Sequence, residues 1–373
     1  MKICHVTTTH SRTDSRVFKR QCQTLSQNGF DVLYICCDGK PDEIISGVNV
    51  VSYSKVKLNK YKRYGLLFFY RKFTNYLLDQ EADIYQIHDF ELLEVGYHLA
   101  KKGKKVIFDS HENWYGMLSD HFPKFGPVIS FFLNQLYNKV LPSFSAIFSV
   151  SPNMVDDLAR YNPRAYMVSN FPQISGKKRG EVAGTKSDNT FIYQGTVYTI
   201  SNQETTIKAL QDTDYKYIVI GNVDSSYKEH LQSLDRHHNV EFVGWTPPEK
   251  LAEITESCLA GMVILDYDPV CCGKEGQLGS NKIFEYMMSG LPVICTDFTL
   301  WRELIIDKYQ CGICVSPQNP EAIKNAMDYL VNNKDVAAEM GKKGQNAIWT
   351  EFNWEKGVED YLSLYKKIYT NNL

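Results

Sequence analysis

Gly279-Ser280-Asn281-Lys282-Ile283-Phe284-Glu285-Tyr286-Met287-Met288-Ser289-Gly290-Leu291-Pro292-Val293-Ile294 reads as a loop, a short helix, a glycine stop and a buried strand. Ser280 suits the N-cap, where its hydroxyl can accept from a backbone N–H left unpaired by the first turn. Ile283, Phe284, Met287 and Met288 follow at three- and four-residue spacing and give the helix one apolar face. Gly290 can take the left-handed conformation that ends a helix, and Leu291-Pro292-Val293-Ile294 begins the strand. A helix start of this kind offers free N–H groups and a partial positive charge to an anion, and Lys282 adds a full charge. Glu285, one turn in, is placed to accept from paired hydroxyls such as those of a ribose. Both side chains could equally be the solvated face of an ordinary amphipathic helix; together they would hold a nucleotide diphosphate.

Strand patterns surround that helix. Apolar runs at 191–194, 217–220, 240–243, 261–265, 292–296 and 312–315 alternate with helical segments. The first half has the same rhythm, with runs at 2–8, 31–37, 48–53, 84–88, 105–109, 146–150 and 166–169. Helix patterns lie between them at 15–28, 61–80, 91–102 and 152–161. Alternation of this kind makes parallel sheets covered on both faces. Residues 173–189 are polar, glycine- and lysine-rich and without periodicity, so they read as a linker between two α/β domains, 1–172 and 190–350.

Composition agrees with a chain of 373 residues that builds more than one core. No apolar run approaches the ~18 residues that span a bilayer. The start, Met1-Lys2-Ile3-Cys4-His5-Val6, is already a strand and has no signal-peptide h-region. The ten cysteines stand singly or adjacent, which points to a reduced, cytoplasmic protein. Cys311-Gly312-Ile313-Cys314 spells C-x-x-C but enters a strand and lacks a partner pair, so it reads as core, and no close-set ligand spacing predicts a metal. Residues 1–170 hold 21 Lys and Arg against 16 Asp and Glu, whereas the remainder holds 20 against 27. A basic first half suits an anionic surface. Within it, Lys55, Lys57, Lys60, Lys62, Arg63, Arg71 and Lys72 surround Leu66-Leu67-Phe68-Phe69-Tyr70. Such a stretch can lie at a membrane interface, each cation adding about 1 kcal/mol near anionic lipid, or be a core helix with a charged lead-in. No nucleic-acid-binding motif appears, so no nucleic-acid partner is expected.

The segment from Gly279 to Ile294 resembles the donor-binding helix of family 4 retaining glycosyltransferases, where an asparagine or proline and a lysine precede a glutamate, an apolar run and "G-x-P-V-I". Phe191-Ile192-Tyr193-Gln194-Gly195-Thr196 resembles the family's opening strand and glycine loop. Tyr217-Ile218-Val219-Ile220-Gly221, Val240-Glu241-Phe242-Val243-Gly244-Trp245 and Pro247-Pro248-Glu249-Lys250-Leu251 follow in the family's order. The resemblance implies the GT-B fold: two Rossmann-like doubly wound domains facing a central cleft, with a helix in 351–373 crossing back to the first. It implies transfer of a sugar from a nucleotide-sugar, UDP- or GDP-linked, as co-substrate with no other cofactor and no metal. The acceptor would be a saccharide or lipid-linked saccharide, in cell-surface polysaccharide or glycolipid synthesis at the inner face of the membrane. A GT-B nucleotide-sugar epimerase and a non-catalytic nucleotide-sugar-binding subunit are the alternatives.

Site residues follow from the same matches. Gly195, Thr196, Gly279, Ser280, Asn281, Lys282 and Glu285 would bind the donor. The Arg and Lys that commonly follow the glycine loop are missing from Thr196-Val197-Tyr198-Thr199-Ile200-Ser201-Asn202-Gln203, so Lys282, helped by Lys274, would carry the charge. The family's first glutamate falls at Gln277; Glu275, two residues short of register, is the candidate to replace it in catalysis. Asp109-Ser110-His111-Glu112-Asn113 resembles the family's "D-x-H-E", whose histidine lies beside the donor sugar, which makes His111 the second catalytic candidate. His88 and Asp89 end the preceding strand and, with Glu112, are expected at the acceptor. Asp14 and Arg16 resemble a "D-x-R-V" variant: Asp14 either caps the first helix or serves the acceptor. Arg16, Lys19 and Arg20, at helical spacing, either grip an acceptor phosphate or form a solvated face.

Overall fold

The computed structural model describes residues 1–53, 65–67, 70–114, 116–117, 126–176, 179 and 187–373. The chain forms two compact units, Met1–Asn170 with Lys356–Leu373, and Phe171–Glu355. Each is built on one sheet.

In the first unit the strands are β1 (Lys2–Val6), β2 (Asp31–Cys36), β3 (Glu43–Ile45), β4 (Val48–Ser52), β5 (Ile84–Ile87), β6 (Lys105–Ser110), β7 (Ala146–Ser149) and β8 (Ala165–Met167). They lie in the order β3-β4-β2-β1-β5-β6-β7-β8. All pairs are parallel except β3 with β4, an antiparallel edge that three residues were too short to announce in the sequence. The strand order reverses between β1 and β5, and ligands of open α/β sheets bind at the carboxyl edge of such a switch. Val6-Thr7-Thr8 and Ile87-His88-Asp89 leave the sheet there, next to Asp109-Ser110 at the end of β6.

Two local features differ from the sequence pattern. Residues 15–28 do not form one α-helix: Ser15–Cys22 winds as a π-helix before Gln23–Gln27 turns α-helical. The i→i+5 winding sets Arg16 and Gln21 one turn apart on one face. That face is buried. The helix Gly126–Val140 buries Leu133, Tyr137 and Val140, and its apolar run is not confined to one periodic face in the sequence. The terminal helix Trp354–Thr370 places Tyr361, Tyr365 and Ile368 in the first unit's interior, where the Tyr365 hydroxyl donates to Gln86 Oε1.

The second unit has β9 (Thr190–Gln194), β10 (Lys216–Ile220), β11 (Val240–Gly244), β12 (Ala260–Val263), β13 (Val293–Thr296) and β14 (Gly312–Val315), ordered β11-β10-β9-β12-β13-β14 and all parallel. Apolar clusters cover both faces, one around Phe191, Tyr217 and Met262, the other around Ile192, Val263, Phe284 and Trp301. The switch point falls between β9 and β12. The helix Asn281–Met288 lies flat against β12: a Cβ on Gly261 would come within 2.2 Å of the Tyr286 ring. Residues 173–176, polar enough to read as linker, begin this unit; Ile174 and Ser175 donate backbone N–H groups to the Glu355 carboxylate.

Candidate functional site

In the second unit, β9, β10 and β11 each run out into a glycine with positive φ: Gly195 (+123°), Gly221 (+137°) and Gly244 (+82°). The Gly195 N–H donates to Ile220 O at 2.8 Å, and a Cβ on Gly221 would sit 2.1 Å from Gly195 O. Only glycine fits that crossing. Gly195 is equally confined by the side chain of Lys282, whose Cε would lie 2.5 Å from an added Cβ. Tyr286 fixes the helix that carries Lys282 by accepting from Gln194 N–H at 2.8 Å, and Gly290, at φ +68°, ends that helix.

Lys282 therefore lies along bare backbone with its ammonium 5.5 Å from the Tyr193 ring centroid. Among the described residues that ammonium has no hydrogen-bond or ion-pair partner. Burial lowers its pKa, against the pull of Glu285 and Cys271. Beside it, Glu285 accepts from Gln194 Nε2, and Gln194 Oε1 accepts from Thr255 Oγ1 at 3.2 Å. One Glu285 oxygen is thus held in place, which leaves the other for a diol. Asn281, at the helix start, has its side-chain oxygen buried with no partner among the described residues.

The loop before the helix is arranged differently from the sequence expectation. Lys274 does not reach for an anion at the helix: its ammonium donates to Tyr267 Oη and Asp297 Oδ2, each at 2.7 Å. Ser280 is the N-cap residue, but its hydroxyl makes no capping bond. The Gly279 N–H donates to Gln277 Oε1, so the glutamine at the family's glutamate position braces the loop instead. Glu275 is exposed, and its carbonyl accepts from Leu300 N–H at 3.0 Å. Thr196 is exposed, with its carbonyl taking the Tyr193 hydroxyl at 3.0 Å. Cys311 is core; Cys314 has Cys295 of the neighbouring strand as its partner, Sγ to Sγ 3.9 Å, and all ten cysteines are free thiols.

In the first unit the switch-point residues form a buried polar cluster centred on Asp109, which is fully buried. Arg16 Nη2 donates to Asp109 Oδ1 at 2.7 Å, and Gln21 Nε2 to Oδ2 at 2.6 Å. His111 Nε2 lies 3.0 Å and His88 Nδ1 3.3 Å from that same Oδ2. Behind them His5 Nδ1 meets His88 Nε2 at 3.0 Å. Burial opposes the Asp109 charge, but Arg16 and the two imidazoles hold its pKa well below the ordinary carboxylate range. Burial also lowers His5 and His88, and takes His111 down to about 4 despite Asp109.

This packing corrects several expected roles. Arg16 does not face an acceptor phosphate: it is 4% exposed, and its remaining donors go to Val168 O and Ser169 O. Arg20 turns inward onto Asn170, which leaves Lys19 as the exposed member of that row. His88 and Asp89 are buried too, Asp89 accepting from Thr7 Oγ1 at 2.7 Å and Thr8 N at 2.6 Å. Asp14 caps the first helix, accepting from Arg16 N and Val17 N at 2.8 Å each, while its second oxygen lies 3.4 Å from His10 Nδ1. His111 and Glu112 stay accessible at the rim. Sequence reasoning missed His5, Gln21, Gln86 and Tyr365, because a polar residue in a strand or helix reads the same whether it points to solvent or inward. Among the described residues His88, Asp109 and His111 bring metal-ligating atoms within 4.8 Å of one another. The Arg16 guanidinium already neutralises Asp109 there, so the group is complete as a hydrogen-bonded cluster.

Two family models divide this chain: "Glycosyltransferase Family 4" matches residues 15–171 and "Glycosyl transferases group 1" matches residues 176–347. The glycosyltransferase MJ1069 of Methanocaldococcus jannaschii is 24% identical over 327 residues, 80% of this chain and 79% of that protein. The D-rhamnosyltransferase WbpZ of Pseudomonas aeruginosa is 20% identical over 343 residues, 88% and 85% of the two chains. Among solved structures, sucrose-phosphate synthase from Thermosynechococcus elongatus superposes with a TM-score of 0.79 at 16% identity over 99% of both chains. HepE of Anabaena, solved with UDP and glucose, superposes with 0.71 at 13% identity over 98% of this chain and 100% of that one. At such identities the likeness establishes the fold: each unit is a Rossmann-like domain of the GT-B class.

Proposed function

We propose that this chain, which belongs to family 4 of the glycosyltransferases, transfers a sugar from a nucleotide-sugar donor to an acceptor hydroxyl with retention at the anomeric carbon. The observation that carries the reading is Lys282, a half-buried ammonium without an ion-pair partner among the described residues, laid against the Gly195 backbone at a helix start. Partial desolvation disfavours an uncompensated cation, and a diphosphate would offset that cost. Glu285, steadied by Gln194, takes the ribose hydroxyls in this reading, and the Asn281 side chain and the Gly195, Thr196 and Gly279 backbone complete the donor contacts. The donor is UDP- or GDP-linked in this reading, and the UDP bound by the Anabaena relative supports the first of these.

In this mechanism Lys282 and the helix start stabilise the diphosphate as it leaves, the main electrostatic demand of the step. The leaving phosphate takes the acceptor's proton, so the reading needs neither a separate base nor a metal. His111 contacts the sugar, and Glu275 keeps the part of the family's first glutamate. The acceptor is a saccharide or lipid-linked saccharide used in cell-surface polysaccharide or glycolipid synthesis, met at the cytoplasmic face of the membrane. Arg71 and Lys72 are exposed and support that contact; residues 55–64 and 68–69 of the same basic stretch lie outside the described residues. Among the described residues no helix is long and apolar enough to cross a membrane.

Thermal unfolding with UDP-, GDP-, ADP- and CMP-sugars tests the donor site. Ligand at 100 times its Kd stabilises by about 2.7 kcal/mol. One nucleotide should raise the Tm, and Glu285→Ala should abolish the shift while folding normally. An unchanged shift in that variant would sink the assignment of Glu285. A new sugar isomer formed from donor alone would mean an epimerase, and binding without turnover on any acceptor a non-catalytic subunit.

A further inference from the structure

The proton position on His111 follows from a single fact. Asp109 is ionised beside Arg16, and an ionised carboxylate only accepts. His111 Nε2, hydrogen-bonded to it at 3.0 Å, must therefore carry its hydrogen. His88 Nδ1 lies 3.2 Å from that same nitrogen and 3.3 Å from Asp109 Oδ2. On its other side His88 Nε2 meets His5 Nδ1 at 3.0 Å, one of the two donating and the other accepting. Among the described residues His5 Nε2, at the inner end of the row, has no partner. At the accessible end the same logic leaves His111 Nδ1 bare, and among the described residues nothing bonds to it.

We propose that Asp109 is a positioning residue that fixes His111 as the Nε2–H tautomer, so that His111 meets its substrate as a hydrogen-bond acceptor through Nδ1. The tautomer stands on the geometry; that its partner is a sugar hydroxyl rests on the transferase reading. A bare nitrogen rewards a hydroxyl and leaves an unpaired acceptor beside a deoxy or O-alkylated position, so His111 selects for a free hydroxyl at the position it touches. The charged and titratable groups around the ring agree. Asp109, paired with Arg16, meets the ring at Nε2, and the His10 ring, 4.8 Å away centroid to centroid, has Asp14 at 3.4 Å and Asp89 at 3.6 Å and feels the charge of Glu112. Burial, the largest influence on His111, keeps it neutral at pH 7.

The test is ring-nitrogen NMR of the full chain labelled with 15N-histidine at pH 7.5, with the His111 signals identified by their loss in His111→Gln. One protonated Nε2 and one bare Nδ1 are expected. A protonated Nδ1, alone or in an imidazolium, overturns the proposal. In Asp109→Asn the carboxamide can present a donor to Nε2, so the Nε2–H form should be lost; its persistence would deny Asp109 the positioning role. Should that variant fail to fold, kinetics decide. An asparagine at 111 sets its amide near the place of Nδ1 and a glutamine near that of Nε2, so His111→Asn should retain at least tenfold more kcat/KM than His111→Gln. Equal losses would count against Nδ1 as the contact. The spectra are independent of turnover, so failure of the transferase reading and failure of the tautomer give different results.

Discussion

Arg16 is a buried cation and Lys282 a half-buried one, and they are treated in opposite ways. Arg16 is fully occupied: Asp109 on one edge of the guanidinium, Val168 O and Ser169 O on the other. Lys282 has a glycine backbone and an aromatic ring beside it and, among the described residues, no ion-pair partner, Glu285 acting on it only through its charge at longer range. Buried charges are paired as a rule, because desolvation is otherwise uncompensated. The occupied cation therefore belongs to the scaffold, and in the proposed function the unpaired one belongs to the donor. The contrast separates a residue that shapes a site from one that waits for a ligand, and mutation can break it in either unit.

The largest effect is expected in stability from Arg16→Met. It leaves Asp109 charged and buried without its partner, and breaking a buried pair from one side costs about 3–5 kcal/mol. Urea unfolding would show it, and a loss under 1 kcal/mol would mean that the cluster is not the scaffold element described. Lys282→Met should do the reverse. The unfolding midpoint stays or rises, since an unpaired charge has been removed, while kcat/KM falls about 10²–10³-fold, the range for losing one electrostatic group at a developing charge. A variant that lost stability and kept activity would erase the distinction between the two cations.

How much of this was legible beforehand divides along the same line. The helix that bears Lys282 could be read in outline, because capping position, apolar spacing and the stop at Gly290 are local. The observed helix Asn281–Met288 and the strand starting at Val293 match that reading. What the lysines contact is not local. Lys274 read as a helper to Lys282, and only the fold brings Asp297 to one and the Gly195 backbone to the other. In the first unit, Arg16 and Arg20 read as a row that either grips an acceptor phosphate or stays solvated, because α-helical spacing was assumed. The π-helix turns them inward, and no residue in Ser15–Cys22 announces that winding. His5, inside a strand with both faces covered, carried no signal at all.

An intermediate effect is expected with pH. His5, His88 and His111 have native pKa values below the ordinary 6.5, so between 6.5 and those values the unfolded chain binds protons that the folded one does not. Stability must then fall as pH falls, by about 1.4 kcal/mol per pH unit for each histidine in that window. His111 stops contributing below about pH 4. His10 has the opposite sign: burial lowers its pKa, but the Asp14 hydrogen bond and the Asp89 charge outweigh that, so its contribution is present below 6.5 and lost as pH rises through its raised value. His98, lowered by its partial burial, has the sign of the first three, so four against one leaves a net loss on acidification. Denaturant unfolding between pH 7.5 and 4.5 would detect it, and a profile that is flat or rises toward acid would contradict a neutral histidine cluster.

The smallest effect is the one that tests the reassignment of Lys274. Its bond to Asp297 joins an ammonium 56% exposed to a carboxylate 20% exposed, and such pairs contribute about 0.2–1 kcal/mol. Lys274→Ala should therefore cost no more than that in stability and leave the donor Kd unchanged, since Lys282 alone faces the glycine backbone. A combined Lys274→Ala, Lys282→Met protein should bind donor as weakly as Lys282→Met does, because only one of the two lysines acts on the ligand. If Lys274→Ala weakened donor binding tenfold, the ion pair with Asp297 would have to break when donor arrives. Asp297 would then be a gate for a second phosphate contact, and the missing clamp after Gly195 would be restored from the other side of the loop.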